Sequence, residues 1–301
     1  MNVRFLNNII QKEKSKNLLI TPNAIGDIIL SSEFIREADK ESWDIIVCAD
    51  FYNWVDIYLS KPRSKNFKTH INTEINFNIV IDMCGQEETL LKLNKIKSVN
   101  CLIGFYQNDI YDLIIDFSKE VQNSSVFNFY SNLQKRIFGK LPKTFYPSYS
   151  NYFTEKTKID LLIYPFSGSE DKNWSLDNFI KIYAFFKSKN REVKFLNPTN
   201  CQRDIKKIDP KHIIKTYDWS ESACLIKKSN ILLANDSSIS HIGAYLGIYT
   251  ISLFTKYSAR LWFPYPDSIG KPIKLSKNNN LHVVKNVVQE KLTQNSYEIW
   301  N

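Results

Sequence analysis

Residues 230–255 read Asn-Ile-Leu-Leu-Ala-Asn-Asp-Ser-Ser-Ile-Ser-His-Ile-Gly-Ala-Tyr-Leu-Gly-Ile-Tyr-Thr-Ile-Ser-Leu-Phe-Thr, two short apolar runs with a helical period between them. The runs at 231–234 and 248–254 are bounded by polar turn residues, and the second is rich in β-branched side chains, so each reads as a strand buried in a parallel sheet. Between them Ile239, Ile242, Gly243 and Leu246 fall at i, i+3, i+4 and i+7, one face of a helix over 238–246, with Gly247 where a C-terminal cap belongs. The segment is therefore expected to be a strand-turn-helix-strand unit.

The turn of this unit, Asn235-Asp236-Ser237-Ser238, sets an acid and two hydroxyls at a helix mouth. Free N–H groups and the positive dipole end at such a mouth attract anions, a diphosphate among them. His241 follows within the first helical turn, expected on a face with Ser238 and Tyr245 and away from the apolar stripe. The plainer alternative is that Asp236 or a serine only caps the helix.

The same alternation recurs along the chain. Strands are expected at 17–21, 44–49, 77–83 and 99–103, with helical stretches from the turn at 22–27 through about 38, at 51–59, at 86–97 and at 123–138. Residues 139–158 hold Gly, Pro, Ser, Thr and Tyr without periodicity and mark the expected domain boundary. Beyond them come strands at 159–164, 193–196 and 213–215, helices after Ser175 and over 220–228, then the opening unit. Ser175 is the expected N-cap of a helix carrying Phe179, Ile182, Tyr183 and Phe186 on one face. An apolar run at 281–284, set down with the strands, and a helix from about 285 close the chain. This pattern predicts an α/β fold of two Rossmann-like domains facing across a cleft. Ligands in such sheets bind beyond the C-terminal ends of the strands, and the polar turns at 23–27, 167–173 and 235–241 all follow strands, so they are expected to form one site.

Composition narrows the classes. A length of 301 residues with 43% hydrophobic content fits two domains with packed cores. The five cysteines, Cys48, Cys84, Cys101, Cys201 and Cys224, are scattered and never in a Cys-x-x-Cys pair, which argues against a disulfide framework or a zinc site and for a reducing cytoplasm. The first residues carry no signal-peptide pattern, and no apolar run approaches the roughly 20 residues that span a bilayer. The net charge of +9 is spread along the chain without a nucleic-acid motif; it would favour contact with an anionic lipid surface without demanding it. Asp109, Asp112 and Asp116 lack a histidine or further ligand nearby and read as solvent-facing acids, and His70, His212 and His282 are isolated.

Three motifs in order resemble one family. Ile25-Gly26-Asp27-Ile28-Ile29-Leu30-Ser31-Ser32, then Tyr164-Pro165-Phe166-Ser167-Gly168-Ser169 with Lys172-Asn173-Trp174-Ser175, then Asn235-Asp236-Ser237-Ser238-Ile239-Ser240-His241 are similar to the motifs of glycosyltransferase family nine, the lipopolysaccharide heptosyltransferases. Weaker echoes lie at Val80-Ile81-Asp82 and Ile103-Gly104-Phe105. The family's Thr-Gly is here Ser237-Ser238, and the chain holds only eight glycines, so its phosphate loops are built with more side chain than usual.

The resemblance implies a GT-B fold, with an acceptor domain over 1–150 and a nucleotide-sugar domain over 151–301, the terminal helix free to pack back on the first. It implies inverting transfer with neither metal nor cofactor. By the same resemblance Asp27 matches the general base, Lys172 the lysine on the donor diphosphate, and Asn23 and Gly26 the acceptor side. The donor set is Ser167, Gly168, Ser169, Lys172, Asn197, Asp236, Ser237, Ser238 and His241. The chemistry is coherent: a carboxylate accepts the proton of the attacking hydroxyl. A lysine and a helix N-terminus offset the charge growing on the departing diphosphate. The implied partners are a nucleotide sugar and a glycan or glycolipid acceptor, in the cytoplasm with peripheral contact at the inner membrane, and no nucleic acid. A silent sugar-nucleotide or glycan-binding subunit, another donor, or a protein acceptor are the alternatives.

Overall fold

The computed structural model describes residues 16–47, 64–121, 124–141, 159–198, 205, 207–263, 265, 268–276 and 280–298, the last helix with side chains to 294. The chain divides into two compact units, Met1–Pro147 and Ser148–Asn301. The helical stretch expected at 51–59 and nearly all of the expected boundary segment lie outside the described residues.

The first unit contains β1 (Lys16–Ile20), α1 (Ile25–Leu30), α2 (Ser32–Lys40), β2 (Asp44–Ile46), β3 (Phe67–Lys68), β4 (Asn76–Asp82), α3 (Glu87–Leu93), β5 (Ser98–Gly104), β6 (Leu113–Ile114), α4 (Phe117–Val121) and α5 (Val126–Phe138). Its strands form one parallel sheet in the order β3-β2-β1-β4-β5-β6. The second unit contains β7 (Ile159–Tyr164), α6 (Leu176–Lys187), β8 (Val193–Pro198), β9 (Ile213–Thr216), α7 (Trp219–Lys227), β10 (Ser229–Asn235), α8 (Ser238–Tyr245), β11 (Tyr249–Phe254), α9 (Ala259–Trp262), β12 (Gly270–Lys274) and α10 (Asn280–Glu298). Its sheet, also parallel, runs β12-β11-β10-β7-β8-β9.

Counted from the first strand of each unit, both sheets therefore have the doubly wound order third, second, first, fourth, fifth, sixth. In that order the connections change direction between the first and fourth strands, and the crevice beyond the C-terminal ends of those two strands is where such sheets bind ligands. The switch points here are β1/β4 and β7/β10. The central strands are β-branched or leucine-rich because helices cover both faces. Leu18, Leu19, Val80, Ile81, Leu161, Leu162, Ile163 and Ile231 to Ala234 are all buried.

Where strands escape the sequence pattern they are short or at an edge. β3 and β6 have two residues each, and β12, Gly-Lys-Pro-Ile-Lys, carries a proline that is tolerable because it pairs with β11 alone. Residues 281–284 open α10 instead of forming a strand. Val284, Val288 and Leu292 recur every fourth residue as its buried stripe, and the helix lies against β10 and α6. The helix expected through residue 38 breaks at Ser31, whose hydroxyl donates back to the carbonyls of Asp27 (2.8 Å) and Ile28 (3.2 Å). Such back-bonding competes with the helical ladder and bends it. Ser175 occupies the N-cap position of α6 with an extended backbone, but its side chain makes no capping bond.

Candidate active site

The second unit's switch point is organised by Asn235, the last residue of β10 and wholly buried. Its Nδ2 donates to the carbonyl of Pro165 at 2.6 Å and to Asn173 Oδ1 at 3.2 Å, and its Oδ1 accepts the Trp174 N–H at 3.0 Å. One side chain thus ties the turn after β10 to the loop after β7. On that loop Lys172 ends a short 3₁₀ turn, Glu170–Lys172, and reaches Asp236 Oδ2 at 3.4 Å. The lysine Nζ also lies 4.5 Å from the centroid of the Tyr257 ring. Lys274, from β12, donates to the carbonyls of Thr255, Lys256 and Tyr257 at 3.0 to 3.2 Å and so pins the loop that carries this ring.

Burial pushes the Asp236 carboxyl above the ordinary aspartate range, and the charges of Lys172 and Lys274 only partly counter it. At the adjoining helix mouth Ser237 and Ser238 are half-buried. Ser237 sits at the N-cap of α8 without a side-chain cap bond, and its buried Oγ has no hydrogen-bond partner among the described residues. Capping by a serine, the plainer reading of this turn, is therefore not what the Ser237 side chain does. A helix N-terminus without a side-chain cap keeps free N–H groups, the kind of group that receives an anion.

His241 departs from expectation. Every residue from Ile239 to Tyr245 is buried, so α8 has no polar face in solvent; it is wedged among β10, β11 and α7. A Cβ on Gly243 would collide with Leu232 and Thr250, which shows how closely the helix lies on the sheet. His241 is 4% exposed, its Nδ1 is 3.2 Å from the Tyr265 hydroxyl, and burial together with the Lys172 charge depresses its pKa to about 4. It is a neutral imidazole near neutral pH.

The other donor-side residues lie at the same C-terminal edge. Ser167 is buried and spends its hydroxyl on the Ser169 carbonyl (2.6 Å); Ser169 hydrogen-bonds Asp171, which also pairs with Lys256. Gly168 is exposed with open space around it, Ser238 is half-buried in the first position of α8, and Asn197 is buried near the end of β8.

At the first unit's switch point Asp27 lies half-buried in the first turn of α1, after an exposed Asn23 and a buried Gly26. The counterpart of Asn235 is Asp82, the wholly buried last residue of β4. Its Oδ1 accepts the N–H groups of Cys84 (2.8 Å) and Gly85 (3.1 Å), and its Oδ2 accepts the Tyr111 hydroxyl at 2.6 Å. Burial first, then the Asp27 charge, raise the pKa of both Tyr106 and Tyr130. Among the described residues no three His, Cys, Asp or Glu side chains converge as metal ligands do. Asp109, Asp112 and Asp116 are exposed, as expected; Asp112 accepts the Leu102 N–H of β5, and Asp116 accepts from Ser118 and Lys119 in its own turn.

Tyr257, Tyr265, Lys274, Tyr106 and Tyr111 carry no signal of their own in the sequence, and Asn235 enters the sequence reading only as the first residue of the 235–238 turn. The signal for Asn235 was present, a polar residue ending an apolar strand, as it was for Asp82 in the Val80-Ile81-Asp82 echo. The tyrosines stand in aperiodic loops and become legible only through their neighbours.

Two parallel doubly wound sheets, each with polar residues at its switch point, define an α/β protein of the GT-B class. Residues 124–292, more than half of the chain, match the family model described as glycosyltransferase family 9 (heptosyltransferase), and the chain belongs to that family. No curated protein matches it in sequence. Among solved structures it is similar to Escherichia coli heptosyltransferase WaaC with ADP at 12% identity and a TM-score of 0.70, covering 92% of this chain and 99% of that one. It is also similar to E. coli ADP-heptose lps heptosyltransferase II, at 12% identity and a TM-score of 0.68 over 93% and 99% of the two chains. A family 9 glycosyl transferase from Veillonella parvula gives 13% identity and a TM-score of 0.67 over 94% and 98%. The chain is a glycosyltransferase by family, and at such identities the structures speak for the fold.

Proposed function

We propose that the protein transfers a sugar, heptose from ADP-heptose first among the donors to test, onto a lipopolysaccharide core or related surface glycan, with inversion and without a metal. The observation that carries this reading is the mouth of α8, which no side chain caps, with the Ser237 hydroxyl unpartnered among the described residues and Lys172 paired to the adjoining Asp236. A nucleoside diphosphate fits that mouth, because the helix N-terminus and the lysine offset two negative charges without an ion. Family membership supports the donor class, as does the ADP found with WaaC.

In the reaction the acceptor hydroxyl forms its bond to the anomeric carbon as the bond from that carbon to the diphosphate breaks. Asp27 takes the hydroxyl proton, and Lys172 with the α8 N–H groups receives the charge left on the leaving group. His241, held neutral by burial, contributes a hydrogen-bonding ring to the donor loop and no charge. The residues 1–150 serve the acceptor and 151–301 the donor. The net charge of +9 suits an acceptor anchored in an anionic inner-membrane face, and no helix among the described residues is long and apolar enough to cross a membrane.

The test is release of nucleoside diphosphate from a panel of sugar nucleotides in the presence of rough-type lipopolysaccharide. Release from ADP-heptose alone in the panel is expected. Tight donor binding with no turnover on any acceptor extract would instead make the chain a silent donor-binding subunit.

A further inference from the structure

Tyr106 stands two residues beyond β5, at the C-terminal edge of the first sheet, and is 51% exposed. An aromatic ring left half in solvent at the edge of the sheet where ligands bind needs a reason. The loop beneath it is built to hold the ring in place. Gly85 has φ of +62°, and a Cβ there would be driven into the Tyr106 ring, so ring and glycine backbone lie in direct contact. Gly85 is itself held by the buried Asp82 carboxylate, which accepts its N–H and that of Cys84. Asp82 also accepts the Tyr111 hydroxyl, and Tyr111 in turn lies over Gly104, where a Cβ would again collide. Two tyrosines resting on two glycines, joined through one buried acid, make a rigid shelf.

The topology puts this shelf next to Asp27. The loops bearing Asp27, Gly85 and Tyr106 follow β1, β4 and β5, which are consecutive neighbours in a parallel sheet. Strands about 4.8 Å apart set the ends of β1 and β5 about 10 Å from each other, so the loops that leave them share one edge of the sheet. The Asp27 charge is among the influences that raise the Tyr106 pKa, after burial.

We propose that Tyr106 is the platform for the acceptor sugar: the apolar C–H face of a pyranose lies on the exposed ring while one of its hydroxyls meets Asp27. The proposal rests on the transferase reading above and names a residue that selects the acceptor. A flat, pre-positioned aromatic surface offers contact area with little conformational entropy to lose, and the phenol rim keeps a polar group for the sugar's hydroxyls.

The experiment is calorimetric titration of the full chain with two probes, ADP and O-deacylated rough-type lipopolysaccharide. Tyr106→Ala is expected to weaken glycan binding about tenfold, equivalent to about 1.4 kcal/mol, and to leave ADP binding unchanged. Tyr106→Trp and Tyr106→Phe keep the ring and are expected to keep the affinity. Tyr106→Leu, which still covers Gly85, is expected to lose it with an unchanged Tm, separating the platform from a packing role. Equal glycan affinity in wild type and Tyr106→Ala, or no glycan binding by the wild type, overturns the platform. Ring-dependent glycan binding by a chain that binds no ADP sustains the platform and strikes the donor reading instead.

Discussion

Asp82 and Asn235 hold the same place in two sheets of the same topology, each the buried last residue of the fourth strand, and they do opposite things with it. Asp82 only accepts: two backbone N–H groups of its own turn and a tyrosine hydroxyl from beyond β5. Asn235 both donates and accepts, and its partners all lie on the loop after β7, on the far side of the switch point. The first arrangement rigidifies a shelf of glycines and tyrosines next to an acid. The second locks together the loop that carries Lys172 and the turn that leads into α8. One topology yields an acidic, aromatic strand end in one unit and, in the other, a strand end next to the helix mouth proposed to receive the diphosphate, because the chemistry resides in a few side chains at strand ends.

That contrast can be broken most sharply at the reacting groups. Asp27→Asn removes the proposed base and is expected to lower kcat about 10²- to 10⁴-fold while ADP binding stays. Steady-state kinetics beside a binding titration reads both, and unchanged turnover removes Asp27 from the mechanism. Lys172→Ala strikes the other crevice and is expected to lower kcat about 10²-fold and weaken ADP binding, with Lys172→Arg recovering part of each. An intact ADP affinity in Lys172→Ala would leave the helix mouth alone as the anion site.

A smaller effect belongs to the donor helix. The folded pKa of His241, about 4, lies below its ordinary 6.5, so the unfolded chain binds more protons between those values. Stability should be full above pH 6.5 and fall by about 3 kcal/mol as pH drops toward 4. Asp236, whose pKa is raised, acts in the opposite sense, its contribution falling as pH rises past 3.8. Denaturant melts across this range should be flatter for His241→Gln than for wild type; parallel curves would mean that the imidazole is not buried neutral.

The mildest changes test the two strand-end residues against each other. Asn235→Asp sets a carboxylate against the Pro165 carbonyl, which can only accept, and is expected to cost about 2 kcal/mol. Asp82→Asn can keep one oxygen on the two N–H groups and turn its amide to the Tyr111 hydroxyl, which can accept, so about 1 kcal/mol is expected. Equal losses by chemical denaturation would show that the two sites are less different than their hydrogen bonds indicate.

Most of the strands and helices were readable in the chain, as was the polar turn at 235–241, because each carries a local signature: a β-branched run, a 3.6-residue period, a polar residue at a strand end; Asp27 and Lys172 carry none, and only the resemblance of their motifs to the family's pointed to them. β3, β6 and β12 were not, since two-residue strands and a proline-bearing edge strand have no pattern of their own. Residues 281–284 misled for a related reason, four residues being too few to separate a period of two from one of 3.6.

What the sequence by itself determined, then, is the alternation of elements and the residue types at their ends, which depend on neighbours a few positions apart. Strand order, and with it the identity of the two switch points, was decided only by the tertiary structure. So were the burial that neutralises His241, the lysine set beside Asp236 and the ring resting on Gly85. Each of these depends on groups distant in sequence meeting where water is excluded, and desolvation and contact geometry are properties of the folded packing, absent from any local stretch of chain.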